Sequence, residues 1–121
     1  MQFIIEDGYE VKPGMEEEFQ RYLADTVDRF RAALPEGVEY IGDFVVTWGN
    51  DLEAGGWRTL LRLDSYAALD RFAEAAKGGE FGALIRETSR FIDVSRGHRQ
   101  WRHTLLKSVA DATVINSSTD G

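Results

Sequence analysis

Apolar residues in this chain recur with a period of two in four segments and near 3.6 in the stretches between them. The order of those segments restricts the fold more than any other feature. Residues 2–11 alternate, with Phe3, Ile5, Tyr9 and Val11 on one face, which predicts a strand closed by Pro13-Gly14. From about 15 to 34, Met15, Phe19, Tyr22, Leu23, Thr26, Val27, Phe30 and Leu34 recur at spacings of three and four, the apolar stripe of a helix. Glu16, Glu17 and Glu18 occupy its first turn, where the helix dipole favours acids, and Pro35 with Gly37 ends it. Residues 38–48 and 57–63 read as two further strands joined by a loop from Gly49 to Gly56. Asp64-Ser65 then caps a second helix whose stripe is Tyr66, Leu69, Phe72, Ala73 and Ala76. Gly78-Gly79 splits that helical region, and Phe81, Leu84, Ile85, Thr88 and Ile92 resume the period to about 95. A connection at 96–100 leads to a last strand at 101–109. The order βαββαβ is the α+β, ferredoxin-like arrangement, in which helices cover one face of a four-stranded antiparallel sheet and the first strand lies between the third and the fourth. Residues 1–109 make one domain, and the polar residues 110–121 read as a flexible tail.

Strand parity divides the side chains into two sets. One set holds Phe3, Ile5, Asp7 and Tyr9; Tyr40, Phe44, Val46 and Trp48; Trp57, Thr59, Leu61 and Leu63; Trp101, His103, Leu105 and Val109. This bulky set belongs against the helices. The other holds Ile4, Glu6 and Glu10; Ile41, Asp43, Val45 and Thr47; Arg58, Leu60 and Arg62; Arg102, Thr104, Leu106 and Ser108. Its mixture of branched apolar residues, acids and arginines is too apolar for an ordinary wet face and too charged for a dry core. A second copy packing its sheet here, with Arg58, Arg62 and Arg102 facing Glu6, Glu10 or Asp43, explains that mixture. The alternative is a solvated face with cross-strand salt pairs.

Val11-Lys12-Pro13-Gly14 followed by Met15-Glu16-Glu17-Glu18-Phe19 resembles the opening of dimeric α/β-barrel proteins, and so does the run from Trp57 to Leu63 into Asp64-Ser65-Tyr66 and Phe72. The resemblance spans residues 2–109. That superfamily includes antibiotic-biosynthesis and haem-degrading monooxygenases, polyketide cyclases, muconolactone isomerases, and NIPSNAP-like and stress-response proteins. The resemblance implies a homodimer whose sheets meet and a ligand cavity in each subunit between sheet and helices. It does not select a reaction, because one fold carries many sites.

Two groups in the helix-facing set exceed what packing requires, Asp7 on the first strand and His103 on the last. On neighbouring antiparallel strands they can meet. A carboxylate would then orient the imidazole and leave its second nitrogen as a general base or acid. Tyr9 can supply a hydroxyl to a developing oxyanion, as can Tyr40, while Tyr40, Trp48, Trp57 and Trp101 can bracket a flat aromatic ligand. The alternative is that His103, Asp7 and these rings only pack. His98, His103 and Asp93 are badly spaced for a metal site, no phosphate-binding glycine loop or nucleophile motif is present, and residues 65–95 lack the histidine that haem-binding relatives place there. No metal or cofactor is expected.

Composition bounds the rest. The absence of cysteine removes disulfides, thiolate metal sites and cysteine nucleophiles. A net charge of −7 disfavours nucleic acid and anionic membrane as partners, no apolar run approaches a membrane span, and no signal peptide is expected, so a cytoplasmic location is. That charge is uneven: residues 86–109 carry +4, a patch able to attract a carboxylate or enolate ligand or the acidic remainder of a partner subunit, or simply a solvated helix face with interface arginines. The sequence therefore points to a cofactor-independent small-molecule enzyme, monooxygenase- or cyclase-like. It would act on an aromatic or polyketide-like substrate by proton abstraction, with His103 as base, Asp7 its orienter and Tyr9 or Tyr40 the oxyanion donor. The alternative is a noncatalytic homodimer that binds a small molecule or serves as an interaction protein.

Overall fold

The computed structural model describes residues 2–49, 56–95 and 102–109. The chain runs β1 (Phe3–Tyr9), α1 (Glu16–Ala33), β2 (Val38–Val45), β3 (Trp57–Leu63), α2 (Tyr66–Ala75), α3 (Gly79–Ser89) and β4 (Arg102–Lys107). Its four strands form one sheet in the order β2-β3-β1-β4, every neighbouring pair antiparallel. This is the α+β, ferredoxin-like arrangement that the order of periods predicts.

Alternation along β1 and β3 builds the core on one face only. Phe3, Ile5, Leu61 and Leu63 bury against Ala68 of α2, with Phe30, Leu34, Leu69 and Phe72 packed around them. A second cluster joins Tyr9 and Trp57 to Phe19, Tyr22, Phe91 and Ile92. At its centre Phe19 meets Trp57 edge-on with ring centroids 5.2 Å apart, a geometry favoured by the ring quadrupoles. Ser65 caps α2 by accepting the Ala68 N–H at 3.3 Å. Gly79, at a φ of +62°, takes the left-handed turn that separates α2 from α3, a conformation glycine adopts without Cβ strain.

Some features differ from the sequence reading. Helix α3 ends at Ser89, short of 95, because residues 91–93 lie beside the continuation of β1. Lys12 N donates to Phe91 O and Asp93 N to Glu10 O, both at 2.8 Å, and Val11 bridges Ile92. Strand β2 stops at Val45, so Trp48 leaves the sheet and is 92% exposed. The end of the chain along β4 is less covered than expected: Leu105 and Val109, assigned to the helix-facing set, are exposed. The expected tail at 110–121 lies outside the described residues.

The largest departure is inside β2. Tyr40 pairs with Leu61 and Gly42 with Leu60, so one extra residue, Ile41, bulges out of the ladder. Beyond the bulge the parity reverses. Asp43, assigned by alternation to the outer face, pairs with Thr59 and faces the helices, while Phe44 pairs with Arg58 on the outer face and is exposed.

Candidate functional site

The reversed parity creates a polar row across the sheet. Asp43, Thr59, Asp7 and His103 are consecutive partners on β2, β3, β1 and β4. All four line one pocket of about 300 Å³ between sheet and helices. Ile5, Leu61 and Leu105 form the next row on one side, Tyr9 and Trp57 the row on the other. The polar row is therefore framed by apolar and aromatic side chains. From the helices the pocket receives Leu23, Val27 and Phe30 of α1, Phe72 of α2, and Phe81, Leu84 and Ile85 of α3.

One end of the row is a carboxylate and an imidazole. His103 Nδ1 lies 2.5 Å from Asp7 Oδ1. Burial pushes the Asp7 carboxyl above its ordinary range, and the contact with His103 pulls it back down. The His103 side chain is 67% exposed while that of Asp7 is 11% exposed, so the imidazole stands at the pocket mouth and its carboxylate behind it. When Nδ1 carries its proton toward Asp7, Nε2 is left with the lone pair, an arrangement able to act as an oriented general base.

The other end gathers hydroxyls around Asp43. Tyr9 Oη donates to Asp43 Oδ1 at 3.0 Å, Tyr40 Oη donates to Oδ2, and Thr59 Oγ1 donates to Oδ1. The Thr59 hydroxyl also lies 3.2 Å from Tyr9 Oη. Burial first, and then the neighbouring Asp43, push both phenols far above their ordinary range, so Tyr9 and Tyr40 keep their protons and direct them at the carboxylate.

The sequence-derived candidates separate accordingly. Asp7, Tyr9, Tyr40 and His103 meet in the pocket. Trp57 does not line it; the indole is buried in the core against Phe19. Trp48 is placed in solvent, and Trp101 and His98 lie outside the described residues. Among the described residues no three His, Cys, Asp or Glu side chains gather to hold a metal ion, and no helix is long and apolar enough to cross a membrane. From the basic stretch, Arg86 and Arg90 are absent from the pocket lining; Arg90 stacks on Phe91 and Tyr22 instead. Sequence reasoning missed Asp43 and Thr59. The available signal was Gly42, since glycine inside an alternating run marks a bulge.

On the outer face, Arg58 Nε pairs with Glu6 at 3.2 Å and Arg62 reaches Glu39 at 3.8 Å. Asp43 is not available there.

No family model matches the chain, and no curated protein matches it in sequence. Solved structures do match it in shape. A NIPSNAP family protein from Agrobacterium tumefaciens superposes over 94% of this chain and 99% of its own, with a TM-score of 0.68 at 16% identity. The chain shares their ferredoxin-like fold. An uncharacterised NIPSNAP-like domain protein from Burkholderia xenovorans matches 93% of this chain and 89% of its own, at a TM-score of 0.65 and 15% identity. A candidate antibiotic biosynthesis monooxygenase from Bordetella bronchiseptica matches 89% and 97%, at 0.64 and 10%. These are the groups that the sequence resembles, and at such identities the likeness concerns the fold. The chemistry has to be argued from the pocket.

Proposed function

We propose that this protein is a cofactor-independent small-molecule enzyme that removes a proton from an aromatic or polyketide-like substrate. The reading is carried by the Asp7–His103 contact of 2.5 Å at the mouth of an aromatic-walled pocket. His103 Nε2 takes a proton from carbon next to a carbonyl, or from a phenol. Asp7 stabilises the imidazolium that results, and that imidazolium then faces the enolate or phenolate it has made. Tyr9 and Tyr40 do not supply the oxyanion donor expected of them, because each gives its hydroxyl proton to Asp43. Cyclisation and reaction with oxygen both start from the same anion. The structural likeness to a candidate monooxygenase supports this chemistry only at the level of fold.

The test is solvent exchange. Aryl 1,3-diketones and polyphenols incubated with the protein in D2O should show catalysed deuterium incorporation by proton NMR. In the His103→Ala variant that rate should fall about 10²–10⁴-fold, the usual contribution of a positioned base. Equal rates for the two proteins on an exchanged compound would remove His103 from the mechanism.

The outer sheet face completes the reading as the seat of a second copy. Phe44 and Leu106 are exposed there, and the buried Arg62 Nε has no hydrogen-bond partner among the described residues. Acids and arginines alternate on this face, so a two-fold related copy is its natural complement.

A further inference from the structure

We propose that the Asp43 end of the pocket receives an organic cation: the protonated amino group of a small ligand whose body is apolar or aromatic. The inference rests on the reading that the pocket holds a small molecule, and it names the chemical class.

The hydroxyls surrounding Asp43 are oriented by it. Tyr9 and Tyr40 each have one hydrogen, and both hydrogens go to the carboxylate. What the two phenols turn toward a ligand is therefore oxygen lone pairs. Thr59 also gives its hydrogen to Asp43 and presents lone pairs. A carboxylate accepts about four hydrogen bonds, so the three hydroxyls leave about one position open. The polar wall at this end is rich in acceptors and poor in donors.

Charge points the same way. The pocket is lined by two carboxylates, Asp7 and Asp43, and by no lysine or arginine among the described residues. Asp7 has an imidazole partner, while the partners of Asp43 among the described residues are hydroxyls. Arg31 stacks on the Tyr40 ring, its guanidinium carbon 5.6 Å from the centroid, but it is not part of the lining. A ligand carboxylate placed here would face a like charge without a donor to meet it. An ammonium brings three donors and the missing counter-charge, and the faces of the neighbouring rings add a favourable field for a cation. Phe30, Phe72, Phe81 and Leu84 leave room beyond it for an apolar body. Asp43 and His103 stand three strand spacings apart, about 14 Å between Cα atoms at ordinary sheet geometry. A ligand anchored by its amine at one end would thus lie with its other end toward the imidazole.

Three probes of matched shape decide the matter: 2-phenylethylamine, 2-phenylethanol and 3-phenylpropionate, titrated into the wild-type protein by ligand-observed NMR or calorimetry at neutral pH. The amine should bind about tenfold or more tightly than the alcohol, the gain expected of a charged hydrogen-bonded pair, and the propionate should bind weakest. Asp43→Asn should abolish the preference for the amine over the alcohol, and the ranking on wild-type protein stands even if that variant folds poorly. Propionate binding as tightly as the amine would overturn the inference while leaving a ligand pocket in place. Binding of none of the three would remove both the inference and the pocket reading beneath it.

Discussion

Asp43→Ala tests the reversed parity of β2 through its energetic consequence. In the folded protein this carboxylate accepts the hydroxyls of Tyr9, Tyr40 and Thr59. Removing it leaves Thr59 able to pair with Tyr9 at 3.2 Å, whereas Tyr40 keeps no side-chain acceptor among these groups. Three hydrogen bonds to a charged acceptor, each contributing about 1.5–3 kcal/mol, are lost, and the neutral pair of Thr59 with Tyr9 replaces only one of them. Relief of the half-buried charge offsets part of that loss. The net destabilisation should be about 2–4 kcal/mol, which for a domain of this size is a fall of about 10 °C in melting temperature. Thermal unfolding followed by circular dichroism measures it. A spectrophotometric titration of the phenols gives a second readout: Tyr9 and Tyr40 should titrate lower in the variant, since Asp43 contributes to their upward shift, while Tyr22, which is raised by burial on α1, should not move. An unchanged melting temperature together with an unchanged titration would refute the bulge at Ile41 and the cluster it builds.

Three further outcomes follow. The Asp7 carboxyl is raised in the folded state, so its protonated form is favoured by folding. Its contribution is fully present below the ordinary carboxylate value of about 4 and is lost as pH rises through the folded value; the melting temperature of Asp7→Asn should therefore gain on wild type as pH increases, and a variant that loses ground to wild type over that rise would contradict the burial argument. Phe19→Ala removes a ring with no exposed surface from the centre of one core cluster and should cost about 3–5 kcal/mol in urea unfolding, an effect below 1 kcal/mol being inconsistent with that packing. Phe44→Glu with Leu106→Glu should convert the protein to monomers in sedimentation velocity, and a wild-type protein that is already monomeric would dismiss the paired sheets.

How far the fold could be read from the sequence depended on whether the partner of each residue was local. Alternation in β1 and β3 fixes which side chains face the helices, because both strands are regular, and the Asp7–His103 encounter follows once β4 lies beside β1. In β2 a single additional residue turns every later side chain over. Asp43 and Phe44 thus exchanged faces, and only Gly42 hinted at it. Ile92 falls on the helical spacing set by Thr88, yet it packs beside Val11, a contact that no local period encodes. Trp48 continues the alternation of β2 in sequence after the strand itself has ended. The hydroxyl cluster was hidden for the same reason: its carboxylate sits two residues beyond the bulged Ile41.

The central claim is that His103 is an oriented base, and the tautomer of its ring is the most direct measure of it. In ¹⁵N-labelled protein, long-range ¹H–¹⁵N correlation spectra at a pH where the imidazole is neutral should place the proton on Nδ1, toward Asp7, with Nε2 unprotonated, and Asp7→Asn should shift the population away from that form. A proton on Nε2 in the wild-type protein, or a tautomer indifferent to Asp7→Asn, would contradict the account.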